Sequence, residues 1–132
     1  MSRLNELLNE CGVFFLATEK GQQAKLRPIG GHMERDGKEI FCIGDYKDAY
    51  RQLVENPYCE IAGMVNKAQW LRLTGKAVFE TDDRYEKEYY ELNPAMKKIY
   101  NEETGRRLAT FHLEEAEAKL YSMGSVVEDI PV

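Results

Sequence analysis

Two cations stand at positions where the chain could hold an anion. Arg27 lies within an extended stretch, directly before Pro28. Lys47 comes soon after Gly44, where a helical pattern begins. A helix start exposes free backbone N–H groups and the positive end of the helix dipole, which together attract phosphate. That dipole disfavours a lysine in the first turn, so Lys47 suits the position if an anion occupies it. The alternative interpretation is a solvated lysine paired with Asp48.

The single tryptophan, Trp70, begins a long predicted strand. An aromatic side chain at this position could cover a flat ring of a ligand. It could equally fill the barrel mouth, the core or an interface, because buried aromatic side chains are common in all three. The residue type alone leaves these alternatives open.

Other catalytic and metal-binding patterns are absent from the sequence. His32 and His112 stand in no spacing typical of metal ligands. No nucleophile signature surrounds Cys11, Cys42 or Cys59, and the latter two lie in apolar stretches typical of a core. The only Gly-Gly pair, at 30–31, opens no helix, so phosphate-loop and dinucleotide fingerprints are missing as well. The sequence therefore predicts no metal centre.

Length and composition restrict the class of protein. A chain of 132 residues and 15.3 kDa fits one domain, 1–132. Its net charge of −5 is spread evenly, which opposes binding to nucleic acid. The apolar run at 13–17 is far shorter than the roughly 20 residues that span a membrane, and the amino terminus lacks a signal-peptide core. With no C-x-x-C pattern either, we expect a cytoplasmic protein without membrane or nucleic-acid partners.

The hydrophobic periodicity predicts an α+β domain built on an antiparallel barrel. Helical spacing predicts helices over 2–11, 45–56, 82–92 and 94–100. Strand-forming patterns predict strands over 13–18, 24–33, 39–43, 58–65 and 69–80, and one or two more within 107–123. We expect Asp45 to cap the second helix and the acidic run at 114–117 to form a turn. The tail, 124–132, is expected to be loose or docked on a partner.

Five segments carry a family resemblance through their order and spacing. They are Phe14-Phe15-Leu16-Ala17-Thr18, Arg27-Pro28-Ile29-Gly30, Ile40-Phe41-Cys42, Lys47-Asp48-Ala49-Tyr50-Arg51-Gln52-Leu53 and Trp70-Leu71-Arg72-Leu73-Thr74-Gly75-Lys76-Ala77. Together they resemble the pyridoxamine 5′-phosphate oxidase-like, FMN-binding split-barrel family, over residues 3–123. The resemblance implies a six-stranded antiparallel split β-barrel of Greek-key type with peripheral helices. It also implies a homodimer with FMN bound in clefts at the subunit interface.

The resemblance implies three kinds of contact with FMN. Two cations hold the ribityl and phosphate groups, the backbone of a loop lines the phosphate, and three side chains approach the isoalloxazine ring. By this resemblance, the two cations are Arg27 and Lys47. The loop that lines the phosphate is Gly44, Asp45 and Tyr46. Pro28 and Ile29 approach the ring, and Trp70 reaches it across the interface.

Departures from the family pattern point away from the oxidase itself. His32 stands where the oxidase has a lysine for the substrate phosphate, and no extension after Met123 offers groups to grip a pyridoxal ring. We therefore expect a flavin-dependent oxidoreductase with an unknown small-molecule substrate and electron donor, in which the flavin supplies the chemistry. The alternative is a non-catalytic module that binds flavin, haem or deazaflavin on the same barrel.

Overall fold

Alternating apolar and polar residues place most of the chain in antiparallel strands. The computed structural model describes residues 1–132. The strands are β1 (Phe14–Lys20), β2 (Gln23–Ile29), β3 (His32–Arg35), β4 (Lys38–Gly44), β5 (Tyr58–Met64), β6 (Gln69–Phe79), β7 (Leu108–Ser122) and β8 (Ser125–Ile130). The helices are α1 (Arg3–Cys11), α2 (Asp48–Glu55), α3 (Arg84–Leu92) and a 3-10 helix (Pro94–Lys98). None of the helices has the length and apolarity needed to cross a membrane.

The strand order makes the sheet curl into a split barrel. Neighbouring strands follow the order β2-β1-β5-β6-β7-β4-β3, and β8 is added beside β7. The two outermost strands, β2 and β3, are joined only by Gly30 and Gly31, so the ends of the sheet must approach each other. The long β7 pairs with β4 near its start, with β8 near its end and with β6 throughout. The predicted α+β split barrel is confirmed, with eight strands rather than six.

The barrel interior is filled by aromatic and aliphatic side chains. The ring of Phe41 lies 6.0 Å from that of Phe14 and 5.5 Å from that of Phe111, measured between centroids. Leu7 and Leu8 of α1 belong to the same cluster and are 1% and 0% exposed. Burial of a leucine side chain contributes about 1.5–3 kcal/mol, so α1 is held mainly by this apolar face. Ser2 caps α1, since its side-chain oxygen accepts a hydrogen bond from the Asn5 backbone N–H at 3.0 Å.

A second, smaller core lies on the other side of β4. Phe41 and Ile43 face the barrel interior, while the alternate residues Ile40 and Cys42 pack in a cluster that includes Tyr89 of α3. Alternation along a strand makes this two-sided burial possible. It fixes α3 and the 3-10 helix against the outside of the barrel, beside the end of β4.

The strand β7 is unbroken, although the acidic run around Glu115 predicted a turn. Its pairing with β6 shifts by one residue between Thr74 and Lys76, so β7 carries one extra residue there. Glu115 absorbs the irregularity with a φ of 52°. Gly75 lies opposite, where a Cβ would come within 3.1 Å of the Leu113 Cβ. The acidic residues therefore accompany a β-bulge, and the predicted turn was wrong.

Three further predictions needed correction. The predicted strand at 24–33 is divided into β2 and β3, because Gly30 and Gly31 interrupt it. The second helix begins at Asp48, and Lys47 occupies its N-cap position. Asp45 does not cap it; its carboxylate accepts a hydrogen bond from the Arg107 backbone N–H at 3.1 Å. The predicted helix at 94–100 is a short 3-10 helix.

The carboxy-terminal tail is part of the barrel rather than loose or docked on a partner. Residues Ser125–Ile130 form β8, which pairs with the second half of β7. Ile130 is 5% exposed and joins the main hydrophobic cluster. The tail therefore contributes to the stability of the fold.

We expect Ile130→Ala to lower the free energy of unfolding by about 2–4 kcal/mol, because it removes buried methyl groups and leaves a cavity. Val127→Ala, in the same strand but 51% exposed, should change it by less than about 1 kcal/mol. Urea unfolding followed by circular dichroism measures both. Equal midpoints for the two variants would mean that the tail is not docked.

Candidate ligand-binding cleft

A cleft of about 320 Å³ opens where the ends of β2 and β4 meet the start of α2. Strand pairing and the Gly30–Gly31 connection bring together segments that lie apart in the sequence. Most of the predicted site residues line this cleft: Arg27, Pro28, Ile29, Gly44, Tyr46 and Lys47. The other two predicted residues, Asp45 and Trp70, do not line it.

The Arg27 guanidinium is fixed by neutral oxygen atoms. Its Nη1 donates to the Leu16 carbonyl at 3.2 Å and to the Thr18 hydroxyl at 2.6 Å, and its Nη2 donates to Gln52 Oε1 at 2.6 Å. Thr18 and Gln52 are 4% and 7% exposed, and they are also hydrogen-bonded to each other. Partial burial lowers the pKa of Arg27 by desolvation, but a guanidinium remains charged in proteins. The cleft therefore holds a rigid cation whose charge is not neutralised by an ion pair.

Lys47 stands at the amino end of α2, whose first turn has no side-chain cap. Its ammonium group lies 6.0 Å from the centre of the Tyr46 ring. The pairing with Asp48 that we considered from the sequence is not formed, because Asp48 is engaged by Arg51. Lys47 and the uncapped N–H groups of the helix are thus both available to an anion.

A cationic groove of about 470 Å³ continues from the cleft. It shares Arg27 and Lys47 with the cleft and adds Lys20 and Lys25 from the hairpin formed by β1 and β2. Asp48 is the only carboxylate in its lining, and Arg51 engages it. The combined cavity therefore has an apolar, aromatic part and a cationic part, which meet at Arg27 and Lys47.

The aromatic wall of the cleft was missed by the sequence analysis. It is formed by α3 and the segment after it, through Tyr89, Met96, Ile99 and Tyr100. A Cβ on Gly44 would lie 2.8 Å from the Tyr100 hydroxyl oxygen, so glycine is needed there. Burial raises the pKa of Tyr100 to about 12 and also raises that of Tyr89, so both hydroxyls are neutral and can donate hydrogen bonds, as ordinary tyrosines do. The only sequence signal was that four of the eight tyrosines lie within 85–100.

Asp45 and Trp70 lie elsewhere. The backbone N–H of Asp45 donates to the Arg107 carbonyl at 2.9 Å, and its carboxylate accepts from Arg107, so it faces β7. Trp70 is stacked on Tyr121 with the ring centroids 4.5 Å apart, and the Arg72 guanidinium lies 4.8 Å from the Trp70 ring. This stack is on the outer face of the barrel, away from the cleft of the same chain.

Both histidine rings lie within hydrogen-bonding distance of carboxylates. His32 Nδ1 lies 2.6 Å from Glu39 Oε1, with both side chains nearly buried. His112 Nδ1 lies 2.5 Å from Glu80 Oε1, and its Nε2 lies 2.9 Å from Glu114 Oε2. No group of three or more histidine, cysteine or acidic side chains is arranged to hold a metal ion. Neither histidine lines the cleft.

The fold and the sequence together define the class of protein. The sequence matches the pyridoxamine 5′-phosphate oxidase family over residues 2–122, and the chain belongs to this family. No protein of curated function matches it at a significant level.

Solved structures agree with this assignment. The chain is similar to a NimC/NimA family protein from Clostridium acetobutylicum, with 34% identity and a TM-score of 0.87, covering 98% of this chain and 90% of the other. It shares its fold with a heme-binding protein from Mycobacterium smegmatis at 16% identity and a TM-score of 0.68, covering 93% and 54% of the two chains. It also shares its fold with a FAD-binding protein from Mesorhizobium loti at 12% identity and a TM-score of 0.63, covering 92% and 96%.

We expect the thiol of Cys42, which lines the cleft, to be almost inert. Burial raises the pKa of Cys42 to about 12, so at pH 8 only about one thiol in ten thousand is ionised, against roughly one in four for an ordinary cysteine. Alkylation by iodoacetamide at pH 8, followed by mass spectrometry, should be about a thousandfold slower than in the urea-unfolded chain. Labelling at the unfolded rate would show that this part of the cleft opens to solvent.

Proposed function

We propose that this protein binds FMN and acts as a flavin-dependent oxidoreductase on a small molecule. The observation that carries the proposal is the two-part cleft, in which an aromatic part meets a cationic part at Arg27 and Lys47. FMN has the same division, with a flat ring at one end and a phosphate of about −1.5 to −2 charge at the other. Gly44 supports the fit, because any larger residue would push against the tyrosines of the wall.

The cationic part suits a phosphate in detail. A guanidinium has five N–H donors, and Arg27 uses three hydrogen bonds to hold its own position, which leaves donors for the ligand. Hydrogen bonds between charged partners are about twice as strong as neutral ones. Lys47 supplies a second charge, and the uncapped start of α2 supplies backbone N–H groups.

The apolar part suits the isoalloxazine ring. Pro28 and Ile29 lie along one side of the cleft, and the hydroxyls of Tyr89 and Tyr100 are protonated donors on the other. A bound flavin supplies hydride transfer itself, so the lack of an acid–base pair in the chain is no obstacle. The task of these residues is to hold the ring, orient it and exclude water.

Pyridoxamine 5′-phosphate is not the substrate that we propose. His32 stands where the resemblance expects a lysine for the substrate phosphate, and its ring is turned to Glu39. Glu39 also accepts hydrogen bonds from Asn5 at 3.0 and 3.2 Å, so the side chains of His32, Glu39 and Asn5 interact with one another in the interior. The substrate and the electron donor are therefore other small molecules.

We also propose that the protein is a homodimer that completes the cleft. The outer face of β1, β5 and β6 exposes apolar side chains, among which Phe15 and Met64 are 44% and 55% exposed. The register sets Phe15 beside Pro28 and Ala62, and Met64 beside Trp70. Contiguous apolar surface of this kind marks an interaction site. Since Pro28 also lines the cleft, a second copy on this face would border the ligand, and its Trp70 could approach the ring.

A second candidate is a module on the same barrel that binds a cofactor without turnover. The heme-binding neighbour keeps haem among the possible ligands, and a deazaflavin has a ring of the same shape as a flavin. The cleft offers no histidine to haem iron; its possible iron ligands are the hydroxyls of Tyr46, Tyr89 and Tyr100, the thioether of Met96 and the buried thiol of Cys42. This observation favours flavin over haem.

The absorption spectrum of the purified protein, before and after incubation with FMN and gel filtration, tests the proposal. We expect flavin bands at one flavin per chain, and oxidation of NADH or NADPH with an added electron acceptor. Retained flavin without turnover would favour the binding module. A haem absorption band would identify haem, rather than FMN, as the cofactor. A colourless protein that retains no FMN would contradict the proposal.

The double variant Arg27→Ala with Lys47→Ala should weaken FMN binding by at least about a hundredfold, because each lost charged contact contributes about 1.5–3 kcal/mol. Lys47→Ala alone, at an exposed site, should weaken binding by about tenfold without affecting folding. The matched control is Lys67→Ala with Lys98→Ala, which removes two exposed charges from side chains that line neither the cleft nor the cationic groove. Fluorescence titration measures all four proteins, and equal affinity for the parent and the first variant would contradict the site.

Met64→Glu should dissociate the proposed dimer, because it places charges within an apolar interface. Val54→Glu, at a 58% exposed position on α2, should leave the dimer intact. Light scattering gives the mass of each variant, and FMN titration shows whether the cleft needs the second copy. A monomeric parent, or a dimer unaffected by Met64→Glu, would rule out this face as the interface.

A further inference from the structure

The cationic groove contains more positive charge than a single phosphate requires. Lys20 and Lys25 extend it beyond Arg27 and Lys47, along the hairpin of β1 and β2. A phosphate monoester carries about −1.5 to −2 charge at neutral pH, which Arg27 and Lys47 already match. The other two cations are left for a further anionic group.

The added lysines are on the face of the hairpin that turns towards α2. Arg27 pairs with Leu16 across the hairpin, and Lys25 pairs with Thr18, and both of these partners are buried. Residues two apart on a strand share a face, so Lys25 follows Arg27 on this side, about 7 Å further along the strand. The face thus runs from Ile29, in the apolar part of the cleft, to Arg27 and then to Lys25.

These lysines are free of ion pairs in an acidic protein. The chain has 23 acidic residues against 18 basic ones, and Asp48, the only carboxylate that lines the groove, pairs with Arg51. Lys20 and Lys25 form no salt bridge, and Glu19, which lies between Thr18 and Lys20 on β1, points to the opposite face. Cations that converge without a counter-ion suit an anionic ligand.

We propose that Lys20 and Lys25 bind a second phosphate, so that the site accepts a diphosphate whose first phosphate lies at Arg27 and Lys47. This inference rests on the phosphate position of the proposed function. A diphosphate continuous with the flavin phosphate is the chemistry of flavin adenine dinucleotide. A nicotinamide dinucleotide bound beside FMN is the other possible partner of Lys20 and Lys25, but its diphosphate would not continue from the phosphate at Arg27 and Lys47.

The test uses the double variant Lys20→Ala with Lys25→Ala. It is compared with the parent and with the control double variant Lys67→Ala with Lys98→Ala. Protein freed of cofactor is titrated with FMN and with FAD, and FMN-loaded protein is titrated with NADH and NADPH. We expect the Lys20 and Lys25 variant to weaken binding of FAD by about five- to tenfold at low salt, and binding of FMN by less than about twofold. Loss of nicotinamide dinucleotide binding with FAD unchanged would overturn the continuous diphosphate and assign Lys20 and Lys25 to the electron donor.

Equal weakening of FMN and FAD would overturn the inference, because all four cations would then serve one phosphate. No change with any dinucleotide would overturn it as well. Thermal melting of the cofactor-free protein with inorganic pyrophosphate or phosphate distinguishes the absence of a second phosphate position from a failure to bind flavin. Pyrophosphate should stabilise the parent more than phosphate does, and this difference should disappear in the Lys20 and Lys25 variant even if the protein binds no flavin. Equal stabilisation of the parent by the two anions would contradict the second phosphate position.

Discussion

The hydrogen-bonded guanidinium of Arg27 is the contact on which the cleft depends. Its partners Leu16 and Thr18 belong to β1 and Gln52 belongs to α2, so one side chain of β2 ties three elements together. Without the guanidinium, Thr18 and Gln52 would keep only the hydrogen bond that joins them, and each lost hydrogen bond to the charged group contributes about 1.5–3 kcal/mol. The interaction that holds α2 against the hairpin therefore also holds a positive charge at the cleft. The same contact stabilises the fold and positions a cation that could bind an anion.

The two-sided burial of β4 sets the other half of the cleft. Phe41 and Ile43 anchor the strand in the barrel, while Ile40 and Cys42 bind it to the cluster that holds Tyr89. The helical insertion is thereby fixed at the end of β4, beside the start of α2. The cationic part of the cleft belongs to the barrel and its hairpin, whereas the aromatic part belongs to the insertion. Changes in the insertion can alter the aromatic part of the cleft without disturbing the cationic part.

Local chemistry made part of this predictable. Ser2 and the apolar spacing of α1 act within one segment, and Arg27 and Lys47 were singled out because they stand beside strand and helix ends, where an anion could dock. The tyrosine wall was not predictable in this way, since Tyr89 reaches the cleft only through packing between segments distant in the sequence. The strand β8 was missed for the same reason: its pairing with β7 is tertiary, and the acidic bulge at Glu115 resembled a turn.

The electrostatics of the groove argue that it is built for a ligand rather than for stability. Four cations approach one another there, and like charges at short range destabilise a fold. A single well-placed carboxylate would relieve the repulsion, and the chain has 23 acidic residues, yet Asp48 is turned to Arg51. Repulsion between like charges is expected at functional sites, because an anion that binds the folded state stabilises it and compensates for the repulsion. An anion bound at this groove would therefore stabilise the fold.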